Sequence, residues 1–258
     1  MAAREGGAGS DWLSRALARA GVLPLREAEE AAAHGRLAVD GRPVKEPLTP
    51  VTVGRTRVTL DGHPVSLAWH TQVLMLHKPA GVAAHGGREE TVFDVLRAAL
   101  PPALLGFGWH AVGRLDKDTT GLLLFTNDER FVTHATSPDT KLPKRYVARV
   151  GSRADEAKLA ALRAGVRIDR DGPLTRPARA QLRGDDSVEL VLTEGRFHQV
   201  KRMLNAVGLP TLALHREAVG ALALDVSPGA LRVLTDDEVR GALNFSASRA
   251  AESSPEKE

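Results

Sequence analysis

The spacing of hydrophobic residues predicts two short helices and a small β unit at the start of the chain. An i, i+3, i+4, i+7 apolar stripe over residues 13–20 predicts a helix that Asp11 caps and Gly21 ends. A second helix is expected over about residues 26–34. The run LAV-DG-RPV over 37–44 predicts a hairpin with a type I′ turn, because Asp-Gly tolerates the two positive φ angles of that turn.

From residue 72 onward, two-residue alternation and Gly/Pro turns dominate the pattern. The strand-like runs are VLMLHKP, GLLLFTN, KRYVARV, DSVELVLTE and ALALDVS, and the helix-like runs are TVFDVLRAAL, ADEAKLAALRAG and FHQVKRMLNAVG. Strands outnumber helices without a βαβ rhythm, which predicts an α+β domain on a largely antiparallel mixed sheet. The expected organisation is a flexible head (1–10), a small domain (11–60), a linker (61–71), a second domain (72–242) and a flexible tail (243–258).

Composition narrows the class of protein. The 258 residues include no cysteine, which excludes disulfides, thiol nucleophiles and Cys-ligated zinc. The apolar runs fall far short of the ~18 residues of a membrane span, and the first ten residues lack the apolar region of a secretory signal, so we expect a cytoplasmic protein without a membrane partner. The net charge is only +3, but residues 141–150 and 195–203 are two basic rows, each with an aromatic residue, and they predict an RNA groove.

The densest motif, AVGRLDKDTTGLLLFTND (111–128), gathers Arg114, Asp116 and Asp118 before a predicted strand. An acidic, Thr-rich loop of this kind is often only a turn. The same letters fit the D-x-D-x-T loop of haloacid-dehalogenase-like phosphatases, with an acidic pair at 185–186. That loop follows a hydrophobic strand, however, whereas residues 111–114 make a poor strand and the pair at 185–186 is better explained by a hairpin turn.

The row GRLDKDTTGLLLFTND resembles the catalytic motif of pseudouridine synthases, in the branch that modifies ribosomal RNA and carries an N-terminal S4 domain. HKPAGV (77–82), KRYVARV (144–150) and EGRFHQVKRMLNAVG (194–208) resemble three further motifs of that family, in the family's order. The segment ARAGVLPLREAEEAAAHGRLAVDGRPV resembles an S4 RNA-binding domain over 11–60, although Leu25 stands where a Ser is usual. A helical hairpin that serves only as a docking lid is the alternative there.

The resemblance implies the pseudouridine synthase fold and a mechanism with one aspartate and no cofactor or metal. Asp116 would be that aspartate, and whether it attacks the sugar, adds to the base or removes a ribose proton stays open. Lys201 would be its cation, Tyr146 would stack on the flipped base and Arg114 would enter the vacated space. The remaining predicted RNA contacts are Lys144, Arg145, Arg196, His198, Gln199, Arg202, Arg26 and Arg36. No histidine pair has metal-site spacing, and no glycine-rich phosphate loop is present.

Two features favour the small-subunit, or RsuA, type within that branch. One is the aromatic-histidine pair at 197–198, and the other is the similarity of LTRPA (174–178) and LHREAVGALALD (214–225) to that type. The implied substrate is 16S rRNA in an assembling small subunit, as in the class specific for uridine 516, and the protein is expected to be a monomer. The alternatives are a 23S rRNA synthase and a catalytically inactive RNA-binding assembly factor.

Overall fold

The computed structural model describes residues 10–86, 89–137, 142–246 and 249–250. Most of the expected flexible head and tail, at residues 1–9, 247–248 and 251–258, lies outside the described residues. The chain divides into a smaller unit (1–72, 100–110 and 247–258) and a larger unit (73–99 and 111–246).

The helices are α1 (Leu13–Arg19), α2 (Leu25–Ala33), α3 (Val92–Ala99), α4 (Glu129–Thr136), α5 (Glu156–Ala164), α6 (Gln199–Ala206) and α7 (Asp236–Leu243), with a 3-10 turn at Pro102–Leu104. The strands are β1 (Ser10–Trp12), β2 (Leu37–Val39), β3 (Arg42–Val44), β4 (Pro50–Thr52), β5 (Val58–Leu60), β6 (His63–Val65), β7 (Trp69–His70), β8 (Val73–Lys78), β9 (His110–Val112), β10 (Thr120–Thr126), β11 (Lys144–Val150), β12 (Arg179–Leu182), β13 (Ser187–Leu192), β14 (Thr211–Val219), β15 (Leu222–Ala223), β16 (Leu231–Val233) and β17 (Arg249–Ala250).

In the smaller unit, α1 and α2 share a core with an antiparallel sheet of order β3-β2-β5-β6. The predicted hairpin is confirmed: β2 pairs with β3, and Asp40 and Gly41 have φ of 48° and 78°. The predicted cap of α1 is wrong, because Asp11 lies in β1 and its carboxylate pairs with Arg19 at 2.9 Å. The stretch 61–71, which we expected to be a linker, contains β6 and β7.

The larger unit is built on one mixed sheet of order β12-β13-β11-β14-β10-β8-β16, with β15 beside β14 and β9 beside β10. Along that order the neighbours are antiparallel, except that β10 and β14 run parallel. This confirms the α+β prediction. One core lies among β11, β13, α5 and α6, and a second lies among β8, β10, α4 and α7.

The strand β14 lies between β10 and β11 at the centre of the sheet. At its junction with β10, Gly121 has φ of 109°, and a Cβ there would stand 2.3 Å from the carbonyl oxygen of Arg216. Glycine is therefore required for the two strands to approach each other.

The predicted flexible tail begins too early, because Leu243 and Phe245 belong to the core. Leu243 is buried at the end of α7, and the Phe245 ring packs edge-on against Phe131 at a centroid distance of 5.1 Å. These apolar side chains bury enough surface to order the backbone that carries them.

Candidate active site

A cleft of about 480 Å³ opens in the larger unit. It is lined by the 83–85 loop, the 112–117 loop after β9, the cleft-facing side chains of β11 and β14, and the 194–200 segment that leads into α6. Two of the sequence motifs, at 111–128 and 194–208, thus meet across one cavity, although 65 residues (129–193) separate them along the chain.

The loop that carries Asp116 is held from beneath by Lys78, the last residue of β8. The Lys78 side chain is 0% exposed, and its Nζ donates to the carbonyl oxygens of Pro79, Lys117 and Thr119 at 2.8, 3.1 and 2.9 Å. Burial lowers the pKa of Lys78 to about 8, against the opposing pull of the Asp118 and Asp116 carboxylates. Lys78 therefore positions the loop, because its bonds to the Lys117 and Thr119 carbonyls tie the loop to the end of β8.

Asp116 projects into the cleft between two cationic or potentially cationic side chains. Its Oδ2 lies 3.2 Å from Nζ of Lys201, and its Oδ1 lies 3.3 Å from Nε2 of His198. Lys201 also donates to Asp118 Oδ1 at 2.5 Å. The predicted pairing of Asp116 with Lys201 is thus present in the geometry, and the role of each in catalysis remains a prediction.

The charge state of this cluster follows from its hydrogen bonds. Burial opposes the charged form of Lys201, but its bonds to Asp118 and Asp116 outweigh burial and raise the pKa of Lys201. The bond from Lys201 in turn lowers the pKa of Asp118. At neutral pH Lys201 therefore carries a full positive charge directly beside Asp116.

The floor of the cleft comes from adjacent strands. Tyr146 and Lys144 project from β11, and Arg216 projects from β14 opposite Tyr146. Arg216 is only 4% exposed, and its Nε donates to the Leu122 carbonyl oxygen at 2.7 Å. Burial is the main cause that lowers the pKa of Lys144 to about 8, and the nearby positive charge of Arg216 adds to it. Two cations and one phenol thus form the floor of the cleft.

The sequence reasoning missed Lys78 and Arg216. Lys78 stands inside the HKPAGV motif, so the motif was noticed but not the side chain. Arg216 occupies an inward position of β14 between the buried residues Leu214 and Ala218. A charged residue at an inward position breaks the apolar alternation, and that irregularity was the available signal.

Arg114 lies on the rim of the cleft, two residues before Asp116. Its side chain is exposed, and in the ranges that the structure describes it makes no hydrogen bond or ion pair. A free guanidinium at the mouth of the cavity is compatible with the predicted insertion into RNA.

Three of the predicted RNA contacts at or next to α6 bond within the protein, and two of them, Arg196 and Gln199, also line the cleft. Gln199 is buried and donates to Glu194 at 2.6 Å, while its Oε1 accepts from the Arg196 backbone at 2.8 Å. Arg196 donates to the carbonyls of Pro173 and Leu174. Arg202 pairs with Asp169 at 2.5 Å and donates to the Ile168 carbonyl. Arg196 and Arg202 fasten the 168–174 segment to the start of α6.

The structure does not bring Arg145, Arg26 or Arg36 into the cleft lining. Arg145 alternates with Lys144 and Tyr146 along β11, so it faces the other side of the sheet, where its Nε lies 3.4 Å from Glu217. Arg36 pairs with Asp61 at 2.5 Å, and Arg26 is exposed on α2 of the smaller unit. RNA binding by these three residues stays a prediction.

The comparisons with known proteins agree with this architecture. The family model described as RNA pseudouridylate synthase matches residues 72–206, and the S4 domain model matches residues 11–56. A solved structure titled "Crystal structure of pseudouridylate synthase" superposes with a TM-score of 0.62 and 29% identity, covering 89% of this chain and 98% of that one.

Two curated relatives are similar over most of their length. "Ribosomal small subunit pseudouridine synthase A" of Pseudomonas aeruginosa is 36% identical over 231 residues, which is 88% of this chain and 98% of the relative. "Uncharacterized RNA pseudouridine synthase YtzG" of Bacillus subtilis is 35% identical over 235 residues, which is 88% of this chain and 96% of the relative.

The fold and the site therefore define an RNA-modifying isomerase with an appended S4 domain. The chain belongs to the RNA pseudouridine synthase family. The phosphatase alternative is wrong: the acidic pair at 185–186 lies in the turn between β12 and β13 and outside the cleft. Within the described ranges, no helix is long and apolar enough to span a bilayer.

Proposed function

We propose that this protein converts one uridine of 16S ribosomal RNA to pseudouridine, with Asp116 as the catalytic carboxylate. The observation that carries the proposal is the position of Asp116 between His198 and Lys201 in a cleft floored by Tyr146 and Arg216. The match to a small-subunit synthase over 98% of that relative's length supports the choice of RNA.

The reaction is an isomerisation, so the nucleotide has the same atoms before and after it. The bond from ribose C1′ to uracil N1 breaks, the uracil turns, and C1′ bonds to C5 instead. The proton lost from C5 and the proton gained at N1 balance each other. Asp116 has to be ionised to act on sugar or base, and the adjacent ammonium of Lys201 stabilises that charge.

A stacked uridine has to leave its helix before this chemistry is possible. Tyr146 offers a ring face on the cleft floor for the flipped base, and the unpaired Arg114 can fill the space that the base leaves. The charges of Lys144 and Arg216 favour the approach of the phosphate backbone. Each of these contacts holds one nucleotide, so selection among uridines has to come from the fold of the RNA.

The first test replaces Asp116 with Asn, which keeps volume and removes charge. We expect no detectable pseudouridine from purified Asp116→Asn, with unchanged RNA affinity and thermal midpoint. The matched control is Asp185→Asn in the β12–β13 turn, which should turn over like the unaltered protein. Product above background from Asp116→Asn would show that another group performs the chemistry.

The second test decides the substrate. The unaltered protein is incubated with 16S rRNA, an assembling small subunit, 23S rRNA and short unstructured oligonucleotides, and pseudouridines are mapped chemically. We expect one modified site, in 16S rRNA or its particle. A single site in 23S rRNA instead would assign the protein to the large subunit. Tight binding with no product on any RNA would identify an assembly factor.

A further inference from the structure

Phe197 is the most exposed large apolar side chain in the cleft lining. Its side chain is 66% exposed, whereas the other rings of the larger unit help to build its cores or the cleft floor. Exposing a phenyl ring to water sacrifices the free energy that burying it would provide. Its position is therefore not explained by the packing of this chain.

The Phe197 ring stacks on the imidazole of His198, with the centroids 3.8 Å apart and the planes inclined by 21°. The edge of the same imidazole reaches Asp116 Oδ1 at 3.3 Å. Phe197 thus covers one face of His198, and its own outer face is open to solvent one ring away from the catalytic carboxylate.

The backbone beneath this pair is held firmly. His198 has φ of 49°, a left-handed conformation that non-glycine residues adopt at a cost in free energy. Arg202 donates to the Phe197 carbonyl at 3.3 Å, and the Gln199 side chain accepts from the Arg196 backbone at 2.8 Å. These bonds keep the two rings presented to the cleft, so little conformational entropy is lost when a ligand covers them.

We propose that Phe197, backed by His198, is a stacking platform for the base of a nucleotide next to the target uridine. This inference rests on the proposed function. A phenyl ring has no hydrogen-bonding group, so it recognises the flat face common to all bases and tolerates any sequence. The unpaired Arg114 lies at the rim of the same cleft, so a cation borders the surface over which the RNA backbone passes.

The platform keeps the RNA strand in place while the target base turns. Once the uridine is flipped, its neighbours lose a stacking partner, and Phe197 replaces part of that lost contact. The two aromatic residues of the basic rows thereby stack on different bases: Tyr146 stacks on the target base, and Phe197 stacks on a neighbouring base.

The test uses the full chain and a 16S rRNA fragment that contains the mapped site. Three RNAs are compared: the intact fragment, one with an abasic nucleotide 5′ of the target and one with an abasic nucleotide 3′ of it. On intact RNA, Phe197→Ala should raise KM or Kd about 5- to 150-fold, the range that base–aromatic stacking supplies. On one of the abasic RNAs, Phe197→Ala and the unaltered protein should bind equally.

Phe197→Trp should restore binding, because it keeps a ring, and Phe197→Leu should not. Leu212→Ala is the matched control, since Leu212 is also exposed and lies outside the cleft lining. An equal loss on all three RNAs, no loss on the intact RNA, or retained binding by Phe197→Leu would each overturn the platform. Pseudouridine formation by the unaltered protein is also measured on the intact fragment. If product forms and binding does not depend on Phe197, only the platform is overturned. If no product forms, the proposed function is overturned as well.

Discussion

Tyr146 and Arg216 lie opposite each other in the β11–β14 pair, and the guanidinium carbon of Arg216 is 6.0 Å from the centroid of the Tyr146 ring. The two strands are far apart along the chain. Their pairing makes a phenol and a buried cation into neighbours on the cleft floor, where the ring is attracted to the charge. The orientation of Tyr146 therefore depends on Arg216 as well as on β11.

Replacing Arg216 with Lys tests that dependence. Lysine keeps the charge but loses the planar group that bonds the Leu122 carbonyl, so the floor of the cleft loosens. We expect kcat/KM to fall about 10- to 150-fold, the value of a hydrogen bond to a charged group, measured by single-turnover pseudouridine formation. Arg232→Lys, in an ion pair on β16 outside the cleft lining, is the control. A folded Arg216→Lys within about twofold of the unaltered rate would contradict the prediction.

Removing the cation beside Asp116 should change the pH profile as well as the rate. In Lys201→Met both Asp116 and Asp118 lose their ammonium partner, and the pKa of Asp118 returns upward. We expect the acid limb of the rate profile to move to higher pH and turnover to fall about 100-fold or more. Lys201→Arg should recover much of the rate, and Lys158→Met on α5 should change neither quantity. An unmoved acid limb together with an unchanged rate in Lys201→Met would contradict the prediction.

The depressed pKa of Lys144 predicts that RNA binding weakens above neutral pH. With a pKa of about 8, Lys144 loses its charge between about pH 7 and 9 in the folded protein. We expect the Kd for RNA to rise across this interval. In Lys144→Arg, whose charge persists, the rise should be smaller. Identical pH dependence of Kd in the two proteins would contradict a role for the Lys144 charge in binding RNA.

The same group affects stability with the opposite sign. The folded pKa of about 8 lies below the ordinary value of 10.5, so between these values the unfolded chain binds a proton that the folded chain does not. Stability against urea should therefore rise from about pH 8 to 10.5 through Lys144. The rise should be smaller in Lys144→Met than in the unaltered protein, as judged from urea midpoints at each pH.

Gly121→Ala should destabilise the larger unit. The new methyl group would meet the Arg216 carbonyl at 2.3 Å, and φ of 109° is unfavourable for alanine. We expect a loss of about 2–5 kcal/mol in the free energy of unfolding, measured by urea denaturation. Gly241→Ala is the control: no atom lies within 4 Å of the place that its new methyl group would take, and alanine in α7 should stabilise by about 0.5–1 kcal/mol. Equal midpoints for the two variants would show that β10 can move away from β14.

Local patterns along the chain were enough to predict many of its elements. The type I′ turn at Asp40-Gly41 and the antiparallel character of the sheet follow from turn chemistry and two-residue alternation, which act over a few residues. The resemblance of the motif residues likewise places Asp116, Tyr146 and Lys201 in one site; in the structure Asp116 and Tyr146 line the cleft, and Lys201 pairs with Asp116.

The tertiary structure alone decided which partners the charged residues have. Arg196 and Arg202 stand in a basic row, but carbonyl groups from the 168–174 segment occupy them. Arg216 interrupts an apolar strand, but its burial beside Tyr146 places it in the floor of the cleft. A charge in the sequence has no partner until distant strands pair, because hydrogen bonds and ion pairs act over a few ångströms in space and not along the chain. The sequence by itself therefore determined the family and the chemical groups, and the pairing of β14 with β10 and β11 determined which of those groups face the cleft.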